Sequence, residues 1–172
     1  MFNKKPENAI NDYVTKGFIH EDSPDAIAEY IIKIEGIDKT ILGEYFGKND
    51  KKVLNVLHSY CKLLKFIGQE FDKALRTLLS KFRLPGEAQQ IERVIWEFAL
   101  AFYESNIDSY DNADELFPLA YAIIMLSTDA HNPKQEKKMT CEEFVNNTRR
   151  PCPSISPEYL THIYERITNE KF

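Results

Sequence analysis

Several features that mark particular classes of protein are missing from this chain of 172 residues. Its three cysteines, Cys61, Cys141 and Cys152, are few and widely spaced, which is typical of reduced thiols rather than of a disulfide framework or a zinc site. No apolar run approaches about 18 residues, so no transmembrane segment is predicted. The polar start is not typical of a secretory signal. The net charge of −5 lacks the basic excess of most nucleic-acid-binding proteins, so no nucleic-acid partner is expected.

The motifs of common enzyme classes are missing as well. The sequence contains no GxSxG, HExxH or CxxC motif, no phosphate-binding loop and no dinucleotide fingerprint. An isolated histidine is more often a surface or packing residue than a ligand, and this holds for His20, His58, His131 and His162. We therefore expect no metal and no cofactor on this chain. A phosphate-processing enzyme would need a metal or a nucleophile constellation that the sequence does not show.

Helical periodicity is the dominant pattern in what remains. Apolar residues recur at i, i+3, i+4 and i+7 in 27–34, 71–82, 91–102 and 160–167. No segment alternates apolar and polar residues for long enough to indicate a sheet. Because 43% of the residues are hydrophobic and 28% are charged, the chain suits one globular domain. We predict a single all-α domain, residues 1–172, with about nine to ten packed helices.

Signals for helix termini support this prediction. Ser23 and Ser156 each precede a proline and are expected to cap the helices that follow, and Thr140 with Glu143 has the spacing of a capping box. Glycines are expected to end helices at Gly17, Gly36 and Gly68. The predicted helices are 6–16, 24–35, 39–46, 50–66, 69–82, 87–104, 113–130, 140–148 and 157–170. Polar loops are expected at 105–112 and at 149–156.

The stretch 82–89, which reads FRLPGEAQ, interrupts two strongly apolar helices. Pro85 and Gly86 force a turn there, so Glu87 should lie at or beside the start of a helix. One interpretation is simple stabilisation by the helix dipole, which is worth about 0.3–1 kcal/mol. The other is that the turn holds a carboxylate at the tip of a helical hairpin, where a partner can receive it. The residues alone leave both interpretations open.

The second unusual stretch runs from Leu119 to Pro133. Its first half is apolar nearly all round, which normally indicates a buried helix. Its second half is polar from 127 to 132 before the proline ends it. Such a helix could instead form the floor and rim of a hydrophobic groove, and Met125 suits both interpretations because a flexible thioether fills cores and adaptable binding surfaces alike.

With these two stretches the sequence resembles the Sec-seven domain family. Residues 82–89 match the family's first motif without a change, and residues 123–133 match its second motif, IIMLNTDLHNP, at nine of eleven positions. Further similarity lies in 2–6, 39–45 and 138–144. The resemblance thus covers nearly the whole chain.

The resemblance implies an all-helical domain that accelerates GDP release from Arf-family small GTPases. The family's acidic finger corresponds to Glu87, and its groove helix corresponds to 119–132. The implied contacts with the GTPase switch regions are Tyr121, Ile124, Met125, Thr128 and Asn132. Nucleotide and magnesium would belong to the partner. A cytoplasmic location is expected, peripheral to Golgi or endosomal membranes through other domains or through the partner.

Some positions depart from the family pattern. Ser127 and Ala130 replace the usual Asn and Leu, and both changes shrink the side chain at the expected groove rim. Glu92 stands where Asp is common, with little expected effect. Pro118 falls inside the predicted helix 113–130, so the helix should either begin near Phe117 or bend there.

Family members also differ in their sensitivity to the inhibitor brefeldin A. The positions that decide it correspond to Tyr121, Ala122, Asp129 and Met139. Three of them have the sensitive pattern and Ala122 has the resistant one, so we expect partial sensitivity. A non-catalytic helical module that binds a GTPase without accelerating release remains the alternative function.

Overall fold

The computed structural model describes residues 1–19 and 23–172, so His20 lies outside the described residues. The described parts contain nine helices and no strand. The first five are α1 (Pro6–Thr15), α2 (Pro24–Ile31), α3 (Lys39–Phe46), α4 (Lys51–Leu63) and α5 (Phe71–Lys81). The others are α6 (Ala88–Ser105), α7 (Leu116–His131), α8 (Cys141–Arg149) and α9 (Pro157–Asn169). The prediction of an all-α fold is confirmed.

Several predicted helix boundaries were wrong by two to four residues. Helix α2 stops at Ile31 rather than at residue 35, although Ile34 still packs on the core. Helix α4 stops at Leu63 rather than at 66, because Lys65 adopts a left-handed backbone with φ +56°, which a helix does not tolerate. Helix α5 begins at Phe71 rather than at 69.

The predicted helix caps are present. The hydroxyls of Ser23 and Ser156 accept backbone N–H groups at 3.1 Å, from Ala26 and Tyr159 respectively. Thr140 and Glu143 form the reciprocal capping box at the start of α8. The expected terminating glycines all have a positive φ, between 69° and 76°, which is the conformation that favours glycine.

Helices α4, α6 and α7 make most of the helix–helix contacts in the domain. Helix α4 packs against α2, α3 and α6, and α7 packs against α5, α6, α8 and α9. Aromatic side chains fill the contact between α5 and α6, where the ring of Phe71 lies 5.3 Å from Phe98 and 5.0 Å from Phe102, centroid to centroid. Such ring pairs add to the free energy of apolar burial. The order of packing leaves α6, α7 and α8 side by side at one surface.

No helix within 1–19 or 23–172 is both long and apolar enough to cross a bilayer.

Candidate functional site

The turn between α5 and α6 presents the carboxylate of Glu87 at the surface. Phe82 ends α5 with an extended backbone and is fully buried, and Pro85 is buried as well. The N–H of Arg83 donates to the carbonyl oxygen of Lys39 at 3.0 Å. This hydrogen bond anchors the turn on α3, while the residues at its tip, Gly86 and Glu87, are exposed.

Glu87 occupies the N-cap position of α6 without acting as a cap. Its backbone is extended (φ −91°, ψ 135°), and its side chain accepts no hydrogen bond from the helix. Among the described residues it also has no ion-pair partner. The helix dipole still favours a negative charge at this place, but the oxygens of the carboxylate remain free to meet another molecule.

A hydrophobic groove of about 460 Å³ opens beside this helix, between α7 and α8. Its floor comes from the α7 residues Phe117, Pro118, Tyr121, Ala122 and Met125. The opposite wall and the ends are formed by Glu92, Met139, Phe144, Asn147, Thr148 and Pro151. Met125 is 61% exposed, which is unusual for a large apolar side chain in the middle of a helix and marks this face as a contact surface.

Glu92 connects the groove to the acidic turn. It lies five residues after Glu87 on α6, which corresponds to about 7.5 Å along the helix axis at 1.5 Å per residue. Glu92 lines the groove, so α6 begins at the acidic turn and also contributes a side chain to the groove. The sequence could not show this link directly, because the groove residues come from segments that are separated along the chain.

The predicted groove residues divide between two hollows. Tyr121 and Met125 line the groove. Ile124, Thr128 and Asn132 line a separate hollow of about 380 Å³, together with Lys171 and Phe172 from the end of the chain. A single groove along α7 was expected; in the structure positions 121 and 125 lie on average about 60° around the helix from 124 and 128, and the two pairs line neighbouring hollows.

The departures at Ser127 and Ala130 lie away from the groove. Ser127 is only 6% exposed and faces the second hollow, whereas Ala130 lines neither. The smaller side chain at 127 therefore affects the surface around Thr128 and Asn132, and the wall beside Tyr121 is built from other residues.

Pro118 fits its helix without a bend. Helix α7 begins at Leu116, close to the predicted start near Phe117 and three residues later than 113. Pro118 is thus in the first turn, where backbone N–H groups have no helical partner and proline loses nothing. The first backbone hydrogen bond of the regular helix runs from Leu119 to Glu115 at 3.2 Å.

The segment that follows α7 is pinned beside the groove by Asp129. Its carboxylate accepts the backbone N–H of Met139 at 2.7 Å. The ammonium group of Lys138 donates to the carbonyl oxygens of Asp129 and Asn132. Asp129 itself does not line the groove, but Met139 does. Of the four positions that the resemblance links to inhibitor sensitivity, Tyr121, Ala122 and Met139 therefore line the groove, and Asp129 is hydrogen-bonded to the backbone of Met139.

An aromatic row that the sequence analysis did not identify extends the groove toward α6. The ring of Phe117 lies 5.1 Å from Tyr121 and 5.5 Å from Trp96, both in edge-to-face geometry. Trp96 is 38% exposed and lines a further hollow with Phe117. In the sequence, Trp96 lies within the apolar helical pattern of α6 and is followed by Glu97. The pattern therefore did not mark it as a surface residue.

Electrostatics in the groove come from Glu92 and Tyr121. Partial burial raises the pKa of the Tyr121 hydroxyl, and the negative charge of Glu92 raises it further. The hydroxyl therefore remains protonated near neutral pH and can donate a hydrogen bond. The groove thus offers a mainly apolar surface with one donor and one carboxylate.

Metal-binding and nucleophilic side chains do not gather at this site. Within the described residues no group of three or more His, Cys, Asp or Glu side chains is placed to hold a metal ion. All three cysteines are free. Burial raises the pKa of the Cys152 thiol to about 12, so it is not a thiolate near neutral pH. The chemistry available to the site is contact and charge.

Comparison with known proteins assigns the domain to a family. The family model for the Sec7 domain matches residues 1–172. The chain belongs to the Sec7 domain family, as the resemblance to the Sec-seven motifs implied.

One curated relative is the ADP-ribosylation factor guanine nucleotide-exchange factor sec71 of Schizosaccharomyces pombe, 40% identical over 168 residues, or 96% of this chain. The chain spans 9% of the length of that relative.

Solved structures show the same fold. The Sec7p catalytic domain has a TM-score of 0.90 at 35% identity, with 99% of this chain and 92% of that chain covered. A Sec7 domain in a structure with ARF1-GDP and brefeldin A has a TM-score of 0.85 at 37% identity, with 99% and 87% covered.

Proposed function

We propose that this domain is a guanine-nucleotide exchange factor that accelerates GDP release from an Arf-type small GTPase. The observation that supports the proposal most directly is the uncapped, exposed carboxylate of Glu87 at the start of α6, the helix that also contributes Glu92 to the apolar groove. The S. pombe relative is named as such an exchange factor, and a Sec7 domain of the same fold has been solved with ARF1-GDP. Both support an Arf-type partner here.

Glu87 supplies the charge in this mechanism. A GTPase can hold GDP with magnesium at roughly −12 to −16 kcal/mol, so spontaneous release is slow. A carboxylate brought about 4 Å from a phosphate oxygen is repelled by about 4 kcal/mol at an effective dielectric constant of about 20, which corresponds to roughly a thousandfold in rate. The same carboxylate competes with the phosphate for its lysine and displaces the magnesium.

The groove supplies the binding energy that holds the charge in place. An exchange factor must favour the nucleotide-depleted GTPase over the GDP-bound form. Burial of apolar switch-region side chains against Tyr121 and Met125 would contribute about 25 cal/mol per Å² of surface removed from water. Ile124, Thr128 and Asn132 would contact a neighbouring part of the same partner through the second hollow. No covalent step and no cofactor on this chain are needed, since nucleotide and magnesium belong to the GTPase.

The critical experiment measures release of fluorescent GDP from an Arf-type GTPase with wild type and with Glu87→Lys. Charge reversal should abolish exchange, about a thousandfold in rate. Because the side chain of Glu87 makes no capping hydrogen bond and only the helix-dipole stabilisation of about 0.3–1 kcal/mol is lost, circular dichroism and thermal melting should change little. Exchange activity that survives in Glu87→Lys would refute the assignment of the finger.

A non-catalytic GTPase-binding module is the second candidate, favoured by the shortened side chain at Ser127 beside the second hollow. Wild-type domain that binds the nucleotide-free GTPase but leaves the GDP release rate unchanged would select this alternative.

The place of action follows from the partner. We expect the domain to act in the cytoplasm, peripheral to Golgi or endosomal membranes, with attachment through other domains or through the GTPase. Fractionation of cells that express the tagged full-length protein, with and without nucleotide-locked partner, tests this expectation.

A further inference from the structure

Helix α3 has one glycine inside it, Gly43, and a second, Gly47, at its C-cap. Gly43 and Gly47 are four residues apart and so lie on one face of the helix; we call this pair the α3 glycine face. Both are buried, and neither has a positive φ. Glycine is a poor helix former and is not needed here for backbone conformation. The reason for these glycines must therefore lie in what packs against them.

The α3 glycine face is covered by the turn that carries Glu87. A methyl group at Gly43 would collide with the carbonyl oxygen of Arg83. A methyl group at Gly47 would lie 2.9 Å from Cγ of Pro85 and 3.0 Å from Cβ of Gln90, both closer than ordinary contact. The backbone of the turn and the first turn of α6 thus lie directly on α3.

Hydrogen bonds fix this contact on both sides of Glu87. Before it, the N–H of Arg83 donates to the carbonyl oxygen of Lys39 at 3.0 Å. After it, Nε of Arg93 on α6 donates to the carbonyl oxygen of Gly47 at 3.0 Å. The turn is thus held against α3 and its C-cap by one hydrogen bond before Glu87, by close packing along the turn, and by the hydrogen bond of Arg93 after it.

Helix α3 is anchored in the core beneath the turn. Its Phe46 is fully buried and packs on Phe82 and Tyr60, with ring centroids 5.2 and 5.1 Å apart. The tip of the turn is exposed at Gly86 and Glu87. We therefore expect extra volume on α3 to displace the tip toward solvent, and the carboxylate of Glu87 with it.

We propose that the α3 glycine face is a positioning element that sets where the carboxylate of Glu87 stands relative to the groove, and so sets the rate of nucleotide release. The inference rests on the proposed exchange function. Because Glu87 acts by charge at close range, a displacement of its turn lowers the rate of the step while apolar binding in the groove continues. Gly43 and Gly47 touch neither nucleotide nor GTPase in this role.

The test measures single-turnover release of fluorescent GDP from an Arf-type GTPase over a range of domain concentrations. Gly47→Ala should lower the limiting release rate about tenfold, with the half-saturating concentration changed by less than about twofold. Gly43→Ala, with the more severe collision, should lower the limiting rate about a hundredfold if it folds. Gly47→Ala adds only one close contact and carries the test if Gly43→Ala does not fold.

Two further variants separate positioning from general destabilisation. In a Glu87→Gln background, Gly47→Ala should cause no additional loss of the residual rate, because the effect acts through the carboxylate. Pro85→Ala removes the Cγ atom that a residue 47 methyl group would meet, and should restore part of the rate to Gly47→Ala. Ile27→Val in α2 is a control that destabilises the core away from α3 and should leave the limiting rate unchanged.

The outcomes also separate this inference from the proposed function. If wild type does not accelerate release, the proposed function fails and the positioning role with it. If Glu87→Gln loses activity while Gly47→Ala keeps the wild-type limiting rate, only the positioning role is refuted. An equal loss on adding Gly47→Ala with and without Glu87 would also overturn it, since the glycine would then act on the fold or the groove.

Discussion

At the scale of single residues, one position in the floor of the groove, Ala122, lacks the hydroxyl that a serine would supply there. Ala122 lies in the floor between Tyr121 and Met125, and Met139 faces it from the segment pinned by Asp129. A small ligand that enters this groove beside a GTPase would meet all of these side chains. We therefore expect inhibitor binding to depend on the hydrogen-bonding capacity of the residue at 122.

Ala122→Ser should increase inhibition by brefeldin A. We expect partial inhibition of wild type, because the residue at 122 offers no hydroxyl, and about a fivefold to tenfold lower inhibitory concentration for the variant, since one hydrogen bond contributes about 1 kcal/mol. GDP release at graded inhibitor concentrations measures this. Potent inhibition of wild type with no response to Ala122→Ser, or no inhibition of either protein, would contradict the assignment of these positions.

His58 on α4 is expected to make stability depend on pH. Its Nδ1 and Nε2 atoms each lie 3.1 Å from a carboxylate oxygen, of Glu97 and of Glu104. These contacts, led by the hydrogen bond to Glu97, raise its pKa in the folded state. The protonated ring therefore stabilises the fold fully below the ordinary pKa of about 6.5, and this contribution is lost as pH rises through the raised value.

Comparison of His58→Gln with wild type tests this expectation by thermal melting. The variant should melt about 2–4 °C lower at about pH 6 and nearly level with wild type at about pH 9. The control is His162→Gln, because His162 is an exposed histidine on α9, and its substitution should change the melting temperature by less than about 2 °C. A constant difference for His58→Gln at both pH values would show that the ring acts by packing alone.

At the scale of elements, α8 matters because it forms a wall of the groove. It is only nine residues long and contributes Phe144, Asn147 and Thr148 to the lining. A helix this short has little stability of its own. Its capping box, in which Thr140 and Glu143 exchange hydrogen bonds, is therefore a main local determinant of where the wall begins.

Thr140→Ala should destabilise the domain by about 1 kcal/mol, because it leaves the N–H of Glu143 without its capping hydroxyl. Urea denaturation followed by circular dichroism measures the change. Thr77→Ala in α5 is the matched control, because the exposed hydroxyl of Thr77 donates only to the carbonyl oxygen of Lys73 in the same helix. This substitution should change the free energy of unfolding by less than about 0.5 kcal/mol. Equal effects of the two substitutions would show that the cap is unimportant.

At the scale of the whole molecule, one ion pair joins the middle of the chain to its last helix. Nε and Nη2 of Arg166 on α9 each donate at 2.7 Å to an oxygen of Asp72 on α5. Asp72 is only 2% exposed. Hydrogen bonding to Asp72 is the main cause that raises the pKa of Arg166. The pair ties α9, which supports α7 and α8, to the α5–α6 hairpin whose turn carries Glu87.

Arg166→Met should lower the free energy of unfolding by about 3–5 kcal/mol, because it leaves the carboxylate of Asp72 buried without a partner. Asp72→Leu combined with Arg166→Met should recover most of that loss, since an apolar pair needs no compensation. Chemical denaturation measures both. Lys73→Met is the control for an exposed partner of Glu70 and should cost less than about 1 kcal/mol. A loss below about 1 kcal/mol for Arg166→Met would contradict this account.

Helix positions and caps were largely predictable, and the exceptions have local causes. The capping interactions of Ser23, Ser156 and Thr140 each lie within four residues, so the local sequence is enough to predict them. The end of α4 was missed because nothing in the letters shows that Lys65 has a positive φ. The start of α7 was misplaced because the stretch before Leu116 is polar enough for a helix start and for a loop alike.

The sequence named candidate site residues but could not show how the fold arranges them. Glu87 and the α7 residues follow from the two motifs. Their division between two hollows depends on rotation around α7 and on what α8, Met139 and the chain end bring to each side. Trp96 and the α3 glycine face escaped detection because their meaning lies in contacts with residues far along the chain.

The sequence by itself determined that this protein is an all-helical domain, where most helices begin, and which carboxylate stands at a helix start, because periodicity, caps and turns are local physics. Only the tertiary structure decided that the helix beginning at this carboxylate also lines an apolar groove and that the turn before it rests on α3. It also decided which residues share each hollow. Such proximities arise from packing between distant segments, and the free energy that selects them comes from burial summed over the whole core.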